Sequence, residues 1–383
     1  MSDWKEYKLG DLGSVVTGKT PSARNPEDWG DEMLFVTPSD YHNYRKYATD
    51  SDRKLSRFGV ERLEKKVLPP KSILVTCIGS DMGKVVMNSD RCITNQQINS
   101  IIPNACVDND YLYYKLISIY DVLRMYGGDG TAVPIVNKND FENIRIELPV
   151  DIQEQKQTAS VLSSLDDKID LLNRENATLE AMAETLFRQW FVEEAKEDWI
   201  EGKLGDEFSF VMGQSPNGDS FNEDGIGIPM YQGNADFGFR FPTRRVFTTQ
   251  PTRFAEKNDT LISVRAPVGA QNMATEKCCI GRGVAAFRYR ENSSYHSYTY
   301  YKLRSLIEDI KQFNDNGTVF GSISKSDFEN LDVVIPDSDT IKRFENQVET
   351  IDNKIANNSR EIKSLIQTQN MLLPKLMSNE ITI

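Results

Sequence analysis

The sequence predicts an α+β fold in which two similar domains are separated by two long helices that form an antiparallel coiled coil, with a pseudo-two-fold internal repeat. Three observations predict this fold. Short segments recur at a constant spacing, strand and helix patterns alternate within each copy, and apolar residues follow a heptad pattern after each copy. The predicted division places domains at 1–150 and 196–337, and long helices at 151–195 and 338–383.

The internal repeat is carried by short segments that keep one spacing. The segments that recur 187 residues later are Tyr-Tyr-Lys-Leu at 113–116 and 300–303, Gly-Thr at 130–131 and 317–318, and Asp-Phe-Glu-Asn at 140–143 and 327–330. Near the start, Lys-Leu-Gly-Asp at 8–11 recurs 195 residues later at 203–206. Since chance rarely keeps one spacing over such a stretch, the chain contains two copies of one sequence unit.

Each copy begins with a mixed, turn-rich region. Apolar runs at 72–78 and 260–264 predict strands, and runs at 144–149 and 331–336 predict last strands that end at a proline. Between these strands, residues 109–126 and 295–313 have the periodicity of helices.

Each copy ends with a heptad seam, in which apolar residues alternate steps of three and four. The predicted seam positions are Leu162, Leu165, Ile169, Leu172, Asn176, Leu179, Ala183, Leu186 and Trp190 in the first helix, and Val348, Ile351, Ile355, Asn358, Ile362, Leu365, Gln369, Leu372 and Leu376 in the second. Two seams in one chain most simply pack on each other, and a polar residue such as Asn176 fixes their register. Pro374 should kink or fray the end of the second helix.

Composition excludes several classes of protein. Five cysteines without a CxxC pair and only two histidines argue against a disulfide framework and against a zinc site. There is no apolar run of about 18 residues and no basic segment followed by an apolar one at the start, so we expect a cytoplasmic protein without a membrane span.

The net charge of −12 argues against a uniformly basic DNA-binding protein, but the charge is unevenly distributed. Residues 41–71 carry nine Lys or Arg against four acids, and residues 240–290 carry ten against three. Residues 151–198 carry twelve acids against five bases. Positive charge is therefore concentrated in one place in each copy.

Two patterns that resemble catalytic motifs lack the context that the chemistry needs. Residues 13–20 match the phosphate loop GxxxxGK[ST], but the glycine-rich segment before them is a poor buried strand, and Pro21 follows where a helix should open. Asp151, Glu154 and Lys156 resemble a nuclease group, yet their acids suit the first turn of a helix. We therefore expect a protein that is not an enzyme, with nucleotide binding at Lys19 as a weaker alternative.

Polar and aromatic residues near the two basic segments suit contact with DNA. Arg can bond two acceptors of guanine, Asn or Gln can bond adenine, and Lys and Arg neutralise phosphates. The predicted DNA-binding residues of the first copy are Lys19, Thr20, Ser22, Tyr41, Tyr44, Arg45, Lys46, Arg53, Lys54, Arg57, Gln96 and Gln97. Those of the second copy are Gln214, Ser215, Gln232, Asn234, Arg240, Arg244, Arg245, Arg265 and Arg282.

The order of these motifs resembles the specificity subunit of Type I restriction-modification systems, over essentially the whole chain. The resemblance is carried by residues 8–11 with 18–22, their second-copy partners 203–206 with 213–216, the Gly-Thr turns with Phe141 and Phe328, and the helix end at 186–191. It implies that each domain is a target recognition domain that reads one half of a two-part DNA site.

The resemblance also implies partners and cofactors. The helices would set the spacing between the two halves and dock two modification subunits that methylate DNA, and motor-nuclease subunits would join for cleavage. S-adenosylmethionine, ATP and Mg²⁺ would belong to those subunits, with no cofactor in this chain. The alternative that the residues leave open is a coiled-coil adaptor without DNA specificity of its own.

Overall fold

The computed structural model describes residues 3–126, 135–315 and 322–382. The chain divides into two compact units, Met1–Asn173 with Arg360–Ile383, and Arg174–Ser359. Each unit contains one copy of the repeat together with a segment of both long helices. The predicted Gly-Thr turns at 130–131 and 317–318 lie outside the described residues.

The first unit contains three groups of strands and four short helices before the first long helix. The strands are β1 (Trp4–Lys8), β2 (Gly13–Thr17), β3 (Trp29–Gly30), β4 (Met33–Val36), β5 (Tyr47–Ala48), β6 (Lys54–Leu55), β7 (Ile73–Thr76), β8 (Val85–Asn88), β9 (Cys92–Thr94), β10 (Ile98–Pro103) and β11 (Arg145–Pro149). The helices are α1 (Arg57–Arg62), α2 (Asn109–Ser118), α3 (Tyr120–Tyr126), α4 (Lys138–Asn143) and the long α5 (Ile152–Arg188).

The second unit has a similar order of elements. Its strands are β12 (Ile200–Lys203), β13 (Phe208–Met212), β14 (Phe221–Asn222), β15 (Ile228–Tyr231), β16 (Val246–Thr248), β17 (Phe254–Ala255), β18 (Thr260–Ser263), β19 (Gln271–Met273), β20 (Cys278–Ile280), β21 (Val284–Tyr289) and β22 (Asp332–Ile335). Its helices are α6 (Leu204–Glu207), α7 (His296–Ser305), α8 (Ile307–Asp315), α9 (Lys325–Asn330) and the long α10 (Ser338–Met377).

The two units share the order of four strands in one sheet, which confirms the repeat predicted from the sequence. The first unit has the sheet order β2-β10-β7-β8-β5, and the second has β13-β21-β18-β19. A second sheet in each unit pairs two strands in parallel, β4 with β9 and β15 with β20. The first and last strands of each copy also pair, β1 with β11 and β12 with β22.

The central strands are buried on both faces. Along β7, Ile73 and Val75 enter one apolar cluster and Leu74 enters another, since successive side chains of a strand point to opposite faces. Along β18, Ile262 and Leu261 divide in the same way. This double burial explains why these strands appear in the sequence as continuous apolar runs.

Each helix predicted between the strands is two helices in the structure. Residues 109–126 divide into α2 and α3, and residues 295–313 divide into α7 and α8, which extends to Asp315. At the ends of α2 and α7, the hydroxyls of Ser118 and Ser305 donate to the carbonyls of Lys115 and Lys302, both at 2.8 Å. Such local bonds compete with continuation of a helix, and apolar periodicity does not register them.

The long helices pack antiparallel within each unit. In the second unit, the side chain of Asn176 contacts Asn358 at 3.0 Å, and the rings of Phe187 and Phe344 lie 5.6 Å apart. In the first unit, Lys168 pairs with Glu361 at 3.3 Å, and Leu162 shares a core cluster with Leu376. The predicted seam positions are buried or half-buried in both helices.

The end of α10 lies beyond the proline that was predicted to disturb it. The helix continues through Pro374 to Met377. Asn379 then adopts the left-handed region with φ 63°, and the N–H of Glu380 donates to the carbonyl of Lys375 at 3.0 Å. This is the arrangement that ends many helices, so the capping residue rather than the proline determines where α10 stops.

We predict that the buried asparagine pair makes the seam sensitive to single substitutions. The Nδ2 of Asn358 donates to Oδ1 of Asn176, and both residues are buried. Asn358→Leu leaves the Asn176 amide without this partner, at a cost of about 1–3 kcal/mol in the free energy of unfolding. The double variant N176L/N358L should regain most of this loss. Urea denaturation compares the three proteins, and a double variant no more stable than the single one would contradict the account.

Candidate nucleic-acid interface

Loops of the first unit meet along one edge of its larger sheet. Strand β2 ends beside the start of β10, and β7 ends beside the starts of β10 and β8, because these neighbours are antiparallel. The connected segments at 18–22, 77–84 and 94–97 therefore lie on the same edge, which we call the first loop edge. Backbone hydrogen bonds join them, from Gly18 to Ile98 at 3.1 Å and from Lys19 to Thr94 at 2.8 Å.

Five predicted DNA-binding residues come together at the first loop edge, although up to 78 residues separate them in the sequence. They are Lys19, Thr20, Ser22, Gln96 and Gln97. The hydroxyl of Thr20 donates to Oε1 of Gln96 at 2.6 Å, so the two segments are joined by side chains as well as by backbone. Lys19, Ser22 and Gln96 are exposed.

The second unit has an equivalent edge, formed by residues 213–216, 232–234, 264–270 and 281–283, which we call the second loop edge. Gly213 donates to the carbonyl of Val284 at 2.9 Å, and Gln214 donates to that of Ile280 at 3.0 Å. The predicted residues that gather here are Gln214, Ser215, Gln232, Asn234, Arg265 and Arg282. All but the half-buried Ser215 are exposed.

A glycine allows the backbones to approach closely at each edge. A Cβ on Gly18 would lie 2.1 Å from the carbonyl oxygen of Asn95, and a Cβ on Gly213 would lie 2.1 Å from that of Gly281. Such contacts are impossible for any other residue unless the backbone moves. The reason for Gly in both copies is therefore steric, and it holds the two loops in one geometry.

Each edge carries exposed cations that no acid neutralises, although Lys84 of the first loop edge pairs with Asp81 at 2.6 Å. Within the described part of the chain, Lys19, Arg265 and Arg282 have no acidic partner within ion-pair distance. Predicted cations elsewhere are mostly paired. These pairs are Lys54 with Asp50, Arg57 with Glu61, Arg244 with Glu276 and Arg245 with Asp236, while Arg53 stacks on the ring of Trp29.

Two predicted DNA-binding cations are buried instead, and the structure removes them from the candidate interface. Lys46 and Arg240 are each 2% exposed. Lys46 lies 2.5 Å from Asp110 and donates to Ser163 at 2.9 Å, and Arg240 lies 2.7 Å from Asp352. Their side chains are therefore engaged inside the protein and do not reach its surface.

Lys46 and Arg240 occupy the same place in the two copies. Met87 donates its N–H to the carbonyl of Lys46 at 2.8 Å, and Met273 donates to that of Arg240 at 2.9 Å. Each cation lies against the repeated Tyr-Tyr pair, Lys46 near Tyr113 and Tyr114 and Arg240 near Tyr300 and Tyr301. We call Lys46 and Arg240 the buried cations.

The buried cations connect each globular domain to its segments of the long helices. Arg240 contacts Asp352 of α10 and lies 3.8 Å from Glu180 of α5. Burial opposes the charge of Arg240, but the neighbouring Tyr300 and Asp352 raise its pKa above the usual value for arginine. The guanidinium therefore stays charged inside the unit.

Arg45 and Tyr41 are also drawn away from the predicted interface. Arg45 pairs with Asp166 at 2.8 Å and with Asp170 at 3.2 Å, both on α5, and Tyr114 donates to Asp166 at 2.5 Å. Tyr41 is buried and Tyr44 half-buried beside it. The sequence predicted that this Tyr- and Arg-rich segment is a surface that contacts DNA. The acidic residues of the first long helix were the signal in the sequence that it has partners inside the protein.

Two exposed cations near the edges were missed. Arg24 follows Ser22 and donates its N–H to the Ser22 hydroxyl at 3.3 Å, and the carbonyl of Arg253 accepts from Ile280 at 2.9 Å. Neither has an acidic partner among the described residues. The available signal was the closeness of Arg24 to Ser22 and the position of Arg253 within the second basic segment.

The phosphate-loop pattern folds as something else. Residues 13–17 form β2, whose backbone pairs with β10, and Gly18 and Lys19 donate their N–H groups to other strands. Because these donors are used internally, the pattern offers no cradle for a phosphate.

The described residues contain no group of three or more metal-ligating side chains, and burial raises the pKa of Cys77 to about 11 and of Cys92 and Cys278 to about 12. None of the described helices is long and apolar enough to span a membrane.

Comparisons with a family model and with related sequences agree with one another. The family model described as Type I restriction modification DNA specificity domain matches residues 1–181 and again 196–367. The chain is 31% identical to the putative MjaX specificity subunit of a type I restriction enzyme of Methanocaldococcus jannaschii, over 100% of this chain and 94% of that protein. It is 26% identical to the MjaIX specificity subunit of the same organism, with the same coverage.

A solved structure shows the same fold. The type I restriction-modification S subunit from M. genitalium superimposes with a TM-score of 0.62 at 18% identity, over 98% of this chain and 96% of that one. Two copies of one fold, each with an exposed cation at its loop edge that has no acidic partner among the described residues, define a duplicated DNA-recognition protein. The chain belongs to the family of type I restriction-modification specificity subunits, the non-catalytic, DNA-recognising subunits of these systems.

We predict that the buried cations are far more important for stability than the surface pairs. Arg240→Ala leaves Asp352 and Glu180 without their buried partner, at an expected cost of about 3–5 kcal/mol in the free energy of unfolding. The matched control Arg244→Ala removes an exposed pair with Glu276 and should cost less than about 1 kcal/mol. The denaturant midpoints of the two variants test this prediction. Equal losses of unfolding free energy in the two variants would argue against the role assigned to Arg240.

We also predict that the edge loops tolerate no side chain at Gly18 and Gly213, where the backbones approach closely. Gly213→Ala should push the 213–216 segment away from Gly281 and weaken specific DNA binding by the assembled enzyme roughly tenfold or more, since about 1.4 kcal/mol corresponds to each factor of ten. Gly218→Ala is the control, because a Cβ there meets nothing within 4 Å. Gel-shift titration measures both variants, and an effect of the same size in each would refute the steric argument.

Proposed function

We propose that this chain reads a two-part target in double-stranded DNA, with one half read at each loop edge. The observation that carries the proposal is the equivalence of the two edges. Both gather exposed cationic and Gln side chains that are remote in sequence, and Lys19, Arg265 and Arg282 have no acidic partner among the described residues. Free cations can neutralise phosphates, and the amides and guanidinium groups suit base edges.

We further propose that partner subunits supply most of the positive charge that the duplex needs. The net charge of −12 makes the chain as a whole unattractive to DNA, so the local charge of the edges has to be supplemented. Two modification subunits and the motor-nuclease subunits are the expected partners. S-adenosylmethionine, ATP and Mg²⁺ would be bound by those partners, and the assembly would act in the cytoplasm, where the DNA is.

The exposed apolar residues of the long helices favour them as docking surfaces. The seam residues that the sequence predicted for docking are buried or half-buried between the helices. They are Leu165, Ile169, Leu172, Asn176, Leu179, Leu186, Trp190, Ile351, Ile355, Ile362, Leu365 and Leu372. Leu171, Met182 and Met371 are instead more than half exposed on α5 and α10. We propose that partner subunits contact these three side chains, while the seam sets the spacing between the DNA halves.

A domain exchange tests the proposal. Replacing residues 1–150 with the same region of a relative that has a different target should change one half of the methylated motif and leave the other half unchanged. The reason is that each loop edge is built entirely within one copy of the repeat. Methylome sequencing of cells that express the chimera with its modification subunit gives the motif.

The reciprocal exchange of residues 196–337 serves as the control and should change only the other half. If either chimera altered both halves while methylation remained efficient, the assignment of one half to each unit would be wrong.

A further inference from the structure

Backbone hydrogen bonds establish a residue-by-residue equivalence between the two loop edges. Gly18 donates to Ile98 as Gly213 donates to Val284, and Lys19 donates to Thr94 as Gln214 donates to Ile280. The N–H groups of Asn95 and Gly281 donate to Val36 and Tyr231 at 3.1 and 2.8 Å. These three matched pairs place Gln96 and Arg282 at one and the same position of the two copies.

The surroundings of this position are also repeated. In the first copy, the hydroxyl of Thr20 donates to the side chain of Gln96 at 2.6 Å. In the second, the hydroxyl of Ser215 accepts the N–H of Arg282 at 3.2 Å. Thr20 and Ser215 are themselves equivalent, since each follows a matched donor. A hydroxyl therefore fixes the same loop in both copies, but its partner differs, a glutamine side chain in one and an arginine backbone in the other.

The segment around Arg282 is held rigidly by its neighbours. A Cβ on Gly283 would lie 2.1 Å from the carbonyl oxygen of Gln232, and one on Gly281 would lie 3.2 Å from Cγ of Gln232. The loop is therefore packed against Gln232 on both sides of Arg282, while the Arg282 side chain is exposed and has no hydrogen-bond or ion-pair partner among the described residues. A fixed backbone with a free guanidinium suits recognition, because little order has to be imposed on binding.

We propose that Gln96 and Arg282 are the equivalent base-reading residues of the two half-sites, with Gln96 recognising adenine and Arg282 recognising guanine. The chemical reason is the pairing of groups in the major groove: an amide can bond N6 and N7 of adenine, and a guanidinium can bond O6 and N7 of guanine. The proposal rests on the proposed function and deepens it. The difference between the halves at this position follows from one side chain.

The reciprocal exchange of the two side chains tests the proposal in the full chain with its modification subunit. Arg282→Gln should replace or relax one guanine in a single half of the methylated motif, with a loss of roughly 10- to 100-fold in preference for guanine there. Gln96→Arg should act on one adenine of the other half and favour guanine. Each variant should leave the remaining positions of both halves unchanged.

Lys257→Gln is the matched control, because it removes one exposed positive charge at the turn before β18, at the opposite end of that strand from Arg265. It should leave the motif unchanged. Two measurements check that each variant is folded: co-purification with the modification subunit, and the melting temperature. Where methylation is too weak to sequence, the recognised motif can instead be read from duplexes that the protein selects from a randomised pool.

Two results would overturn the inference. An unchanged motif in both variants would exclude base reading at this position. Uniform weakening across all sites, with the salt slope of binding reduced by about one in Arg282→Gln, would show that Arg282 contacts a phosphate instead. Failure of the proposed function is distinguishable, since the wild-type chain would then yield no two-part motif at all.

Discussion

The interaction on which each unit depends is the burial of one cation between its globular domain and the long helices. Removing a charge from water is costly unless partners of opposite charge and hydrogen-bond acceptors replace the water. Lys46 obtains Asp110 and Ser163, and Arg240 obtains Asp352 with Glu180 nearby. The repeated tyrosine pairs complete both sites with aromatic faces and hydroxyls.

This burial explains how a charged contact can specify position. An apolar contact of the same size tolerates sliding, whereas a buried ion is satisfied only when its partners are in place. The backbone carbonyl of each buried cation also accepts a hydrogen bond from the strand at the sheet, Met87 in one copy and Met273 in the other. One residue therefore connects the sheet that carries the loop edge with the helices that run beside it.

The loop edges follow a different rule from the interior, because their backbone is conserved between copies while their side chains are not. Gly18 and Gly213 are required by close backbone contact, and Thr20 and Ser215 hold equivalent places. Gln96 and Arg282 differ at one position, as do Lys19 and Gln214. Because the backbone of the loop edge has the same geometry in both copies, the two edges can present two different sets of base-contacting groups.

The sequence by itself determined the duplication, the fold class and the heptad helices, because repeat spacing and apolar periodicity are properties of the chain alone. It also identified the loop residues Lys19, Gln96, Gln214 and Arg282 as polar residues suited to DNA. Only the tertiary structure decided which cations remain free. Arg240 and Arg282 are the same residue type in the same basic segment, yet one lies against Asp352 in the interior and the other on an open edge. A partner 112 residues away in the chain creates that difference, and no local pattern contains it.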